Sequence, residues 1–368
     1  MKRFFLYLIV FILIFFIMPV LFTSRKSTVE TNTNNESVEE QNSQTNGQGS
    51  TNATDEKNQN DKENNGNGQA SNEQANTENN RKIKLLHHET NEVEEVDLED
   101  YLVHVVSAEM PADFEPEALK AQAIVARTYT MYKTKNPKHD NADICDDSSC
   151  CQAWISKEKR FERWEDDKAQ ANWDKIVKCV NDTKGKIITY NNEPINAFFH
   201  ANSGGTTEIP GEVWGGSNLP YLQVVTTDGE EGYTQYSSEV ALKYDELLNK
   251  LKDRYTDITI DFNNNDDIKI LEYTESGRVK TIKFGNHNLS GVETRTLLGL
   301  KSTNFQFEKK DGLITFNVKG YGHGVGMSQT GADSLAKDGK NAEEIVKHFY
   351  KDVEISSIWF ILKQNILN

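Results

Sequence analysis

The stretch "EDYLVHVVSAEMPADFEPEALKAQAIVARTYT", residues 99–130, predicts two successive helices. From Leu98 onward, apolar residues are spaced i, i+3, i+4, i+7 and i+8, which is the pattern of one helical face. This first helix must end near Glu109, because Pro111 disfavours helical geometry in the residue before it. The second helix begins at Pro116, a residue suited to the first helical turn, and its four early alanines allow close packing against a neighbour.

Strand patterns that read as hairpins flank this helix pair. The first occupies residues 81–96 and turns at a Thr-Asn pair, and the others turn at Asn-Asn, Glu-Ser-Gly and Asp-Gly sequences. These later patterns lie at 186–200, 268–284 and 305–318. Further helices are predicted at 240–253, 328–337 and 341–350. Because hairpin-rich strands and helices come in separate blocks, the predicted fold class is α+β.

The chain begins with an apolar segment. Residues 4–22 contain no charge over nineteen positions, close to the roughly 20 apolar residues that a helix needs to cross a bilayer. A signal peptide is the alternative, although its apolar region is normally shorter and ends in a small-residue cleavage site. We therefore predict that residues 1–26 form a single membrane anchor. The basic residues on its two sides nearly balance, and the amino terminus favours an external body.

Residues 27–80 have a composition that cannot form a hydrophobic core. They include no Leu, Ile or aromatic residue, and they carry ten acidic residues against two lysines. Half of the chain's net charge of −16 therefore lies in this segment. We predict a disordered polar linker with a reach of about 40 Å, followed by a folded domain at 81–368. That domain has no basic run with interleaved aromatic residues, which argues against nucleic acid as a partner.

Glu109 is a candidate general acid. It stands at the end of an apolar helix, beside Met110 and Pro111, and faces an alanine-lined helix that carries Arg127. Apolar surroundings disfavour the charged form of a carboxyl group, so its pKa rises toward the range of a useful proton donor. The alternative is a solvated residue at a helix end. Three further acids lie between positions 113 and 117, and the residue pattern alone does not choose among them.

Two glycine-rich stretches are the most unusual runs of the chain. They are "NAFFHANSGGTTE", residues 196–208, and "GYGHGVGMSQTGA", residues 320–332. Neither fits a phosphate loop or a dinucleotide-binding turn. Each is either a tight turn or a loop that lets the backbone approach a ligand closely. Their polar side chains suit a sugar better than a lipid, and these are His200, Asn202, Ser203, His323, Ser328 and Gln329.

Three of the four cysteines lie in "HDNADICDDSSCC", residues 139–151. Outside the membrane, disulfides are the default expectation. Three thiolates and one imidazole are also the composition of a structural zinc site, formed here by His139, Cys145, Cys150 and Cys151. Free thiols are a third alternative. Cys179 is predicted to be a buried apolar residue.

Several of these motifs together carry a resemblance to a known family. "EDYLVHVVSAEMPADFEPEALKAQAIVARTYT", "CQAW", "FFHANSGGTTE", "PYL" and "GHGVGMSQTGA", in this order and spacing, resemble the SpoIID/LytB family over residues 81–355. The resemblance implies an extracytoplasmic domain behind a membrane anchor. It also implies a peptidoglycan lytic transglycosylase that works in engulfment during endospore formation.

The resemblance assigns roles to individual residues. It implies that Glu109 is the catalytic acid and base, and that Arg127 serves activity or substrate positioning. The remaining predicted substrate contacts are Gln152, His200, Ser203, Gly204, Tyr221, His323, Ser328 and Gln329. This chain has Ala201-Asn202 where the family has Ser-Thr, so the role of those two hydroxyl groups does not transfer.

A zinc site and a set of partners also follow from the resemblance. It implies a structural zinc ion held by His139, Cys145 and Cys151, with Cys150 added as the fourth ligand because of its proximity. No catalytic cofactor is expected. The implied partners are peptidoglycan glycan strands, the sporulation amidase called stage II sporulation protein P, and the membrane protein M of the same stage.

One carboxyl group suffices for the implied reaction. Ordinary glycoside hydrolysis uses two carboxylates, whereas a lytic transglycosylase uses the C6 hydroxyl of N-acetylmuramic acid and leaves a 1,6-anhydro end. The alternative function is a non-catalytic peptidoglycan-binding protein or amidase activator, which is the role of the LytB branch. A zinc hydrolase is disfavoured, because the chain has no His-Glu-x-x-His helix.

Overall fold

The computed structural model of the protein describes residues 81–359. The predictions of a membrane anchor at 1–26 and of a polar linker at 27–80 lie outside the described residues. Within residues 81–359, none of the helices combines the length and the apolar character that a membrane span requires. The described residues form a mixture of helices and small, mostly antiparallel sheets, which confirms the predicted α+β class.

The elements alternate in blocks along the chain. The strands are β1 (Lys82–His87), β2 (Glu92–Asp97), β3 (Ile144–Cys145), β4 (Lys186–Tyr190), β5 (Glu193–Pro194), β6 (Phe199–His200), β7 (Ser237–Lys243), β8 (Ile268–Tyr273), β9 (Val279–Phe284), β10 (His287–Ser290), β11 (Asn304–Lys310), β12 (Leu313–Lys319), β13 (Met327–Ser328) and β14 (Glu354–Ser357). The helices are α1 (Leu98–Glu109), α2 (Pro116–Lys135), α3 (Lys157–Phe161), α4 (Asp166–Asp182), α5 (Pro210–Trp214), α6 (Tyr244–Lys252), α7 (Gly291–Leu298), α8 (Gln329–Lys337) and α9 (Ala342–Phe349).

The predicted helix pair forms the centre of the larger hydrophobic core. The side chain of Asp97 caps α1 by accepting hydrogen bonds from the N–H groups of Glu99 and Asp100. Helix α1 ends at Glu109 and α2 begins at Pro116, as the two prolines predict. Helix α2 packs against α1, α4, α8, α9 and β4. Its early alanines are fully buried, which confirms the predicted close approach of neighbouring helices.

Arg127 is an interior residue of this core. Its side chain has no exposed surface, and two of its nitrogens donate to the carboxylate of Glu99 at 2.9 and 2.6 Å. The guanidinium also donates to the carbonyl oxygens of Lys186 and Val180. A fully buried, fully paired guanidinium cannot touch a ligand from this position. The structure therefore replaces the predicted substrate contact of Arg127 with a structural ion pair.

A second, smaller core lies between the strands of residues 237–319. Sheets with the strand orders β11-β12-β7 and β10-β9-β8 enclose it together with α6 and α7. The predicted hairpins at 268–284 and 305–318 are confirmed. The helix predicted at 240–253 is wrong in its first part, because β7 runs to Lys243 and pairs with β12 along its whole length. Helix α7 has no counterpart among the predictions.

Candidate active-site groove

The two glycine-rich stretches lie against each other. Strands β6 and β13 pair in parallel, and Asn202 forms an isolated bridge with Tyr321. Gly326 has φ +74°, and a Cβ atom placed on it would lie 1.9 Å from the carbonyl oxygen of Phe198. At this position only glycine permits the contact. The glycine therefore allows the two glycine-rich stretches to pack against each other. The sequence suggests close approach of the backbone to a ligand as one alternative.

Glu230 is a buried residue that forms hydrogen bonds with both glycine-rich stretches. Its side chain is fully buried and accepts hydrogen bonds from the N–H groups of Ser203 and Gly205 at 3.1 and 3.0 Å. The hydroxyl donors to its carboxylate are those of Ser203, Thr227, Ser328 and Thr330. Burial alone would raise the pKa of Glu230, but the hydrogen bonds from Ser203 and Ser328 lower it below its ordinary value.

Ser203 and Ser328 therefore point into the protein. Both were predicted to contact substrate, and both are fully buried with their hydroxyl groups on Glu230. Gly204 has φ +70° and donates its N–H to the side chain of Asn202 at 2.8 Å. Ser203 and Ser328 therefore present no hydroxyl group to a ligand, and Gly204 has no side chain to present.

Replacing Glu230 with glutamine should destabilise the fold. Each carboxylate oxygen of Glu230 accepts a backbone N–H, so the amide nitrogen of glutamine, itself a donor, would face an N–H group that cannot accept a hydrogen bond. We expect a loss of about 3 kcal/mol, as for a buried charged group that loses its partners. For a domain of this size, that corresponds to a fall of about 6–12 °C in the melting temperature. Glu231, exposed in the same 3-10 turn, gives the matched control Glu231→Gln, for which we expect no shift. Equal melting temperatures would contradict this prediction.

Glu109 is the last residue of α1, and it is half-buried at the end of the helix. One of its carboxyl oxygens accepts the N–H of Ala153 at 2.6 Å. The other accepts the side-chain amide of Gln329 at 3.3 Å. Burial raises the pKa of Glu109 to about 7, against the lowering effect of these two hydrogen bonds. At neutral pH the carboxyl group is thus divided between its protonated and ionised forms.

Two open cavities meet at Glu109, and we call them together the groove. The first cavity, of about 590 Å³, continues past aromatic side chains that include Tyr129, Phe198 and Trp214. The second cavity, of about 620 Å³, continues past Trp164. Each volume is within the range of ligand-binding pockets. Because Glu109 lines both cavities, a ligand in either cavity lies near this residue.

Trp214 extends the wall of the first cavity. Its side chain is 51% exposed, and its ring lies 4.6 Å from that of Phe198 and 5.1 Å from that of His323. An indole supported in this way offers a rigid apolar face with a polar edge. Such a face suits the C–H surface of a pyranose ring.

Of the remaining predicted residues, His200, His323 and Gln329 line the first cavity. Nδ1 of His200 donates to the carbonyl oxygen of Val325 at 3.1 Å, while its Nε2 has no partner. Burial, helped by the charge of Arg278, lowers the pKa of His200 to about 3. Burial also lowers the pKa of His323 well below its ordinary value. Both imidazoles are therefore neutral at neutral pH.

Gln152 and Tyr221 support the site without lining it. The amide of Gln152 donates to the hydroxyl groups of Tyr101 and Thr130 at 2.9 and 3.0 Å. The hydroxyl of Tyr221 accepts the N–H of Asn196 at 3.1 Å. Both side chains are buried. The structure therefore corrects these two predicted substrate contacts to interior hydrogen bonds.

His139 and three cysteines form a compact cluster beside the groove. Their ligand atoms all lie within 4.8 Å of one another, and Nε2 of His139 is 3.6 and 3.7 Å from the sulfurs of Cys150 and Cys151. Tetrahedral coordination with metal–sulfur bonds of about 2.3 Å places ligand atoms about 3.8 Å apart. The cluster, completed by Cys145, can therefore hold a metal ion.

The four cysteines are free thiols in the structure. The sulfurs of Cys150 and Cys151 are 3.9 Å apart, far beyond the length of a disulfide bond. Cys179 is buried in the larger core, as predicted. The cluster is also close to Glu109 in sequence. Ala153, whose N–H donates a hydrogen bond to Glu109, follows Cys151 by two positions.

Sequence reasoning missed two residues that shape the groove. Glu230 lies in "TTDGEEGY", where no apolar pattern marks it as buried. Its role depends on donors from both glycine-rich stretches, so no local signal could have revealed it. For Trp214 the local signal was Gly215, which ends α5 directly after it and leaves the indole at the end of the helix.

These features define an α+β domain with a partly buried carboxyl group, that of Glu109, in an open groove beside a His/Cys cluster. Residues 86–190 match the family model described as SpoIID, Stage II sporulation protein. The chain is 37% identical over 268 residues to Stage II sporulation protein D of Bacillus amyloliquefaciens, covering 72% of this chain and 75% of that protein. The identity to the protein of the same name in Bacillus subtilis (strain 168) is 36% over 267 residues, covering 72% and 76%. The chain belongs to the SpoIID family.

A further relative has a different name. The chain is 31% identical over 302 residues to the Amidase enhancer of Bacillus subtilis (strain 168), a match that covers 69% of this chain and 40% of that protein. Proteins named for sporulation and for amidase enhancement are thus both similar to this chain.

Proposed function

We propose that the chain is a peptidoglycan lytic transglycosylase with Glu109 as its single catalytic residue. It cleaves the bond between N-acetylmuramic acid and N-acetylglucosamine and leaves a 1,6-anhydro end. One observation carries the proposal. Glu109 is the only acidic residue among the described residues that line the first cavity, its pKa is raised to about 7, and it lies where the two cavities meet.

The reaction proceeds in two proton transfers. Protonated Glu109 donates its proton to the glycosidic oxygen as the bond from that oxygen to C1 of the muramyl residue breaks. The resulting carboxylate accepts the proton of the muramyl C6 hydroxyl as its oxygen forms a bond to C1. Glu109 thus ends the cycle protonated, and no water is consumed. A pKa near the working pH serves both roles of the same group.

The surrounding residues hold the carboxyl group for these steps. The N–H of Ala153 at 2.6 Å and the amide of Gln329 at 3.3 Å fix one oxygen each. His200 lines the first cavity as a neutral imidazole. Trp214 supplies an apolar surface for a sugar ring. Binding along both cavities orients the C6 hydroxyl for attack.

The His/Cys cluster is proposed to bind zinc in a structural role. Three thiolates and one imidazole match the ligands that zinc prefers in closed sites. Because all four positions are taken by protein ligands, the ion would stabilise the loop of residues 139–153. That loop carries the N–H group that holds Glu109.

Activity should fall as the pH rises through about 7. Glu109 must be protonated to begin the reaction, and its raised pKa places that transition near neutrality. We expect kcat/KM on glycan strands to be close to its maximum at pH 6 and to fall about tenfold per pH unit above pH 8. Initial rates measured between pH 5 and pH 9 test this. A limb centred near pH 4.5 would contradict the raised pKa of the proton donor.

Product analysis tests the reaction itself. Glycan strands incubated with the purified full-length chain should yield fragments that are one water lighter than reducing-end sugars, as read by mass spectrometry. Fragments that carry ordinary reducing ends would assign the chain to the hydrolases. Intact strands in the presence of folded protein would reject cleavage altogether.

Amidase activation is a second candidate, because the chain is similar to a protein named Amidase enhancer. Under this function the groove binds glycan, and a separate amidase removes stem peptides. A purified sporulation amidase assayed with and without the chain separates the two candidates. Stimulation that survives Glu109→Gln, combined with unbroken strands, would favour the second function.

The setting proposed for the protein is motivated by its apolar first segment and by its membership of the SpoIID family. We propose that residues 1–26 anchor it in the cell membrane, that residues 27–80 act as a linker, and that residues 81–368 form the extracytoplasmic catalytic domain. It would act in engulfment with the sporulation amidase, stage II sporulation protein P, and stage II sporulation protein M. Co-purification of the three proteins from membranes of sporulating cells tests this arrangement.

A further inference from the structure

Arg160 and Arg163 line the second cavity together with Glu109. The guanidinium carbon of Arg160 lies 4.5 Å from the centre of the Trp164 ring, so the group is held over an aromatic face. Nε of Arg160 is buried and has no hydrogen-bond partner. Within residues 81–359, neither arginine forms an ion pair with a carboxylate. Two guanidinium groups without an ion-pair partner in this range thus line the same cavity as Glu109.

Neither arginine is paired with another charge of this cavity. Lys168 pairs with Glu165 at 2.5 Å, so those two charges offset each other. Asp113 also lines the cavity, but it forms no ion pair with either arginine. Burial lowers the pKa of Arg160, and the nearby positive charge of Arg163 lowers it further. Among the described residues, three basic and three acidic side chains line this cavity, and neither guanidinium group is paired with an acid.

We propose that Arg160 and Arg163 form a subsite that binds a carboxylate of the glycan substrate next to the bond that is cleaved. The planar guanidinium fork matches the two oxygens of a carboxylate and forms charge-assisted hydrogen bonds with them. The inference rests on the proposed function, because it takes a peptidoglycan strand as the occupant of the groove. It adds a recognition element for one functional group of that strand.

Peptidoglycan offers this carboxylate from two sources. One is the lactyl group of N-acetylmuramic acid, whose carboxylate is free only where no stem peptide is attached. The other is the stem peptide, which carries carboxylates of its own. The chemistry of recognition is the same in both cases, and strands with and without stem peptides separate the sources.

The test compares variants of the full-length chain on three kinds of strand. The strands carry free lactyl carboxylates, lactyl groups capped as methylamides, or intact stem peptides. The variants are Arg163→Gln, which removes an exposed charge, and Arg160→Lys, which keeps the charge and much of the packing but loses the fork. Lys159→Gln is the matched control, because Lys159 is an exposed cation of the same helix that does not line the second cavity.

The wild-type chain should discriminate between strands in a way that depends on the arginines. With a lactyl source, capping raises KM about tenfold for wild type, the change expected from losing one charge-assisted hydrogen bond. In that case Arg163→Gln and Arg160→Lys raise KM by a similar factor on strands with free carboxylates. Capping the carboxylates then changes the KM of these two variants little further. With a stem-peptide source, the same dependence occurs only on peptide-bearing strands. Lys159→Gln should match wild type throughout.

Two readouts separate failure of the subsite from failure of the proposed reaction. If wild type and both arginine variants have equal KM values on all three strands, the subsite is wrong while the cleavage reaction stands. If wild type cleaves no strand, equilibrium binding of the same strands to Glu109→Gln replaces KM. A preference for strands with a free carboxylate, lost when Arg163→Gln is added to this variant, would support the subsite without the reaction. If the variant shows no such preference, the subsite is wrong.

Discussion

Replacement of Glu109 by glutamine is expected to lower the rate of glycan cleavage by about a hundredfold to ten-thousandfold, the usual contribution of general acid–base catalysis. Glutamine keeps the size of the side chain and can still accept the N–H of Ala153. It cannot donate a proton to the leaving oxygen or take one from the C6 hydroxyl. The loss should appear in kcat, measured by release of 1,6-anhydro products, because strand binding depends on other parts of the groove.

Stability provides the control for this variant. The pKa of Glu109 rises from an unfolded value of 4.5 to about 7 in the folded protein. The folded state therefore binds this proton more tightly, and the stabilisation it gives is present below pH 4.5 and lost as the pH rises through 7. Glutamine carries no charge at any pH. At pH 8 the melting temperature of Glu109→Gln should be no lower than that of the wild type. A lower melting temperature would mean that the loss of activity comes from a folding defect.

Removal of metal should produce the largest loss of stability. A metal ion present at about a thousandfold above its dissociation constant stabilises the folded state by about 4 kcal/mol. For a domain of this size, its removal lowers the melting temperature by about 10 °C. We expect this fall on treatment with a strong chelator and in Cys145→Ser, together with loss of bound metal in elemental analysis. Zinc added back should restore the chelated protein.

The matched control is Cys179→Ala. Cys179 is buried like Cys145 but lies outside the cluster, so this variant should keep one metal ion per chain. Chelation should also reduce activity, because the loop after Cys151 carries the N–H group that bonds Glu109. Activity lost on chelation with an unchanged melting temperature would instead make the metal catalytic and contradict a structural role.

Local signals predicted α1, α2 and the position of Glu109 correctly. Their boundaries depend on prolines and on apolar spacing within a few residues. The hydrogen-bond partners of Glu109 could not be predicted in this way, since Ala153 is 44 residues away and Gln329 is 220 residues away. Their placement follows from tertiary packing of α8 and of the cysteine-containing loop.

The polar residues of the glycine-rich stretches show a second limit of sequence reasoning. Ser203 and Ser328 face Glu230, whereas Gln329 faces the groove, although all three belong to similar polar runs. A serine that satisfies a buried carboxylate and a serine that binds a sugar have the same local pattern. The helix predicted at 240–253 is wrong in its first part for a related reason. The end of β7 pairs with β12, seventy residues later, and this pairing overrides the helical tendency of the segment.

The long separation between Glu109 and Gln329 has a consequence for the timing of activity. Protein synthesis proceeds at about 5–20 residues per second, so about 10–45 s pass between the appearance of the two residues. Before that, the stretch that contains β6 has no β13 to pair with, and Glu230 lacks the hydroxyl groups of Ser328 and Thr330. A chain cut short before α8 therefore carries the carboxyl group without the groove around it. Under the proposed function, only the finished molecule can therefore cleave glycan.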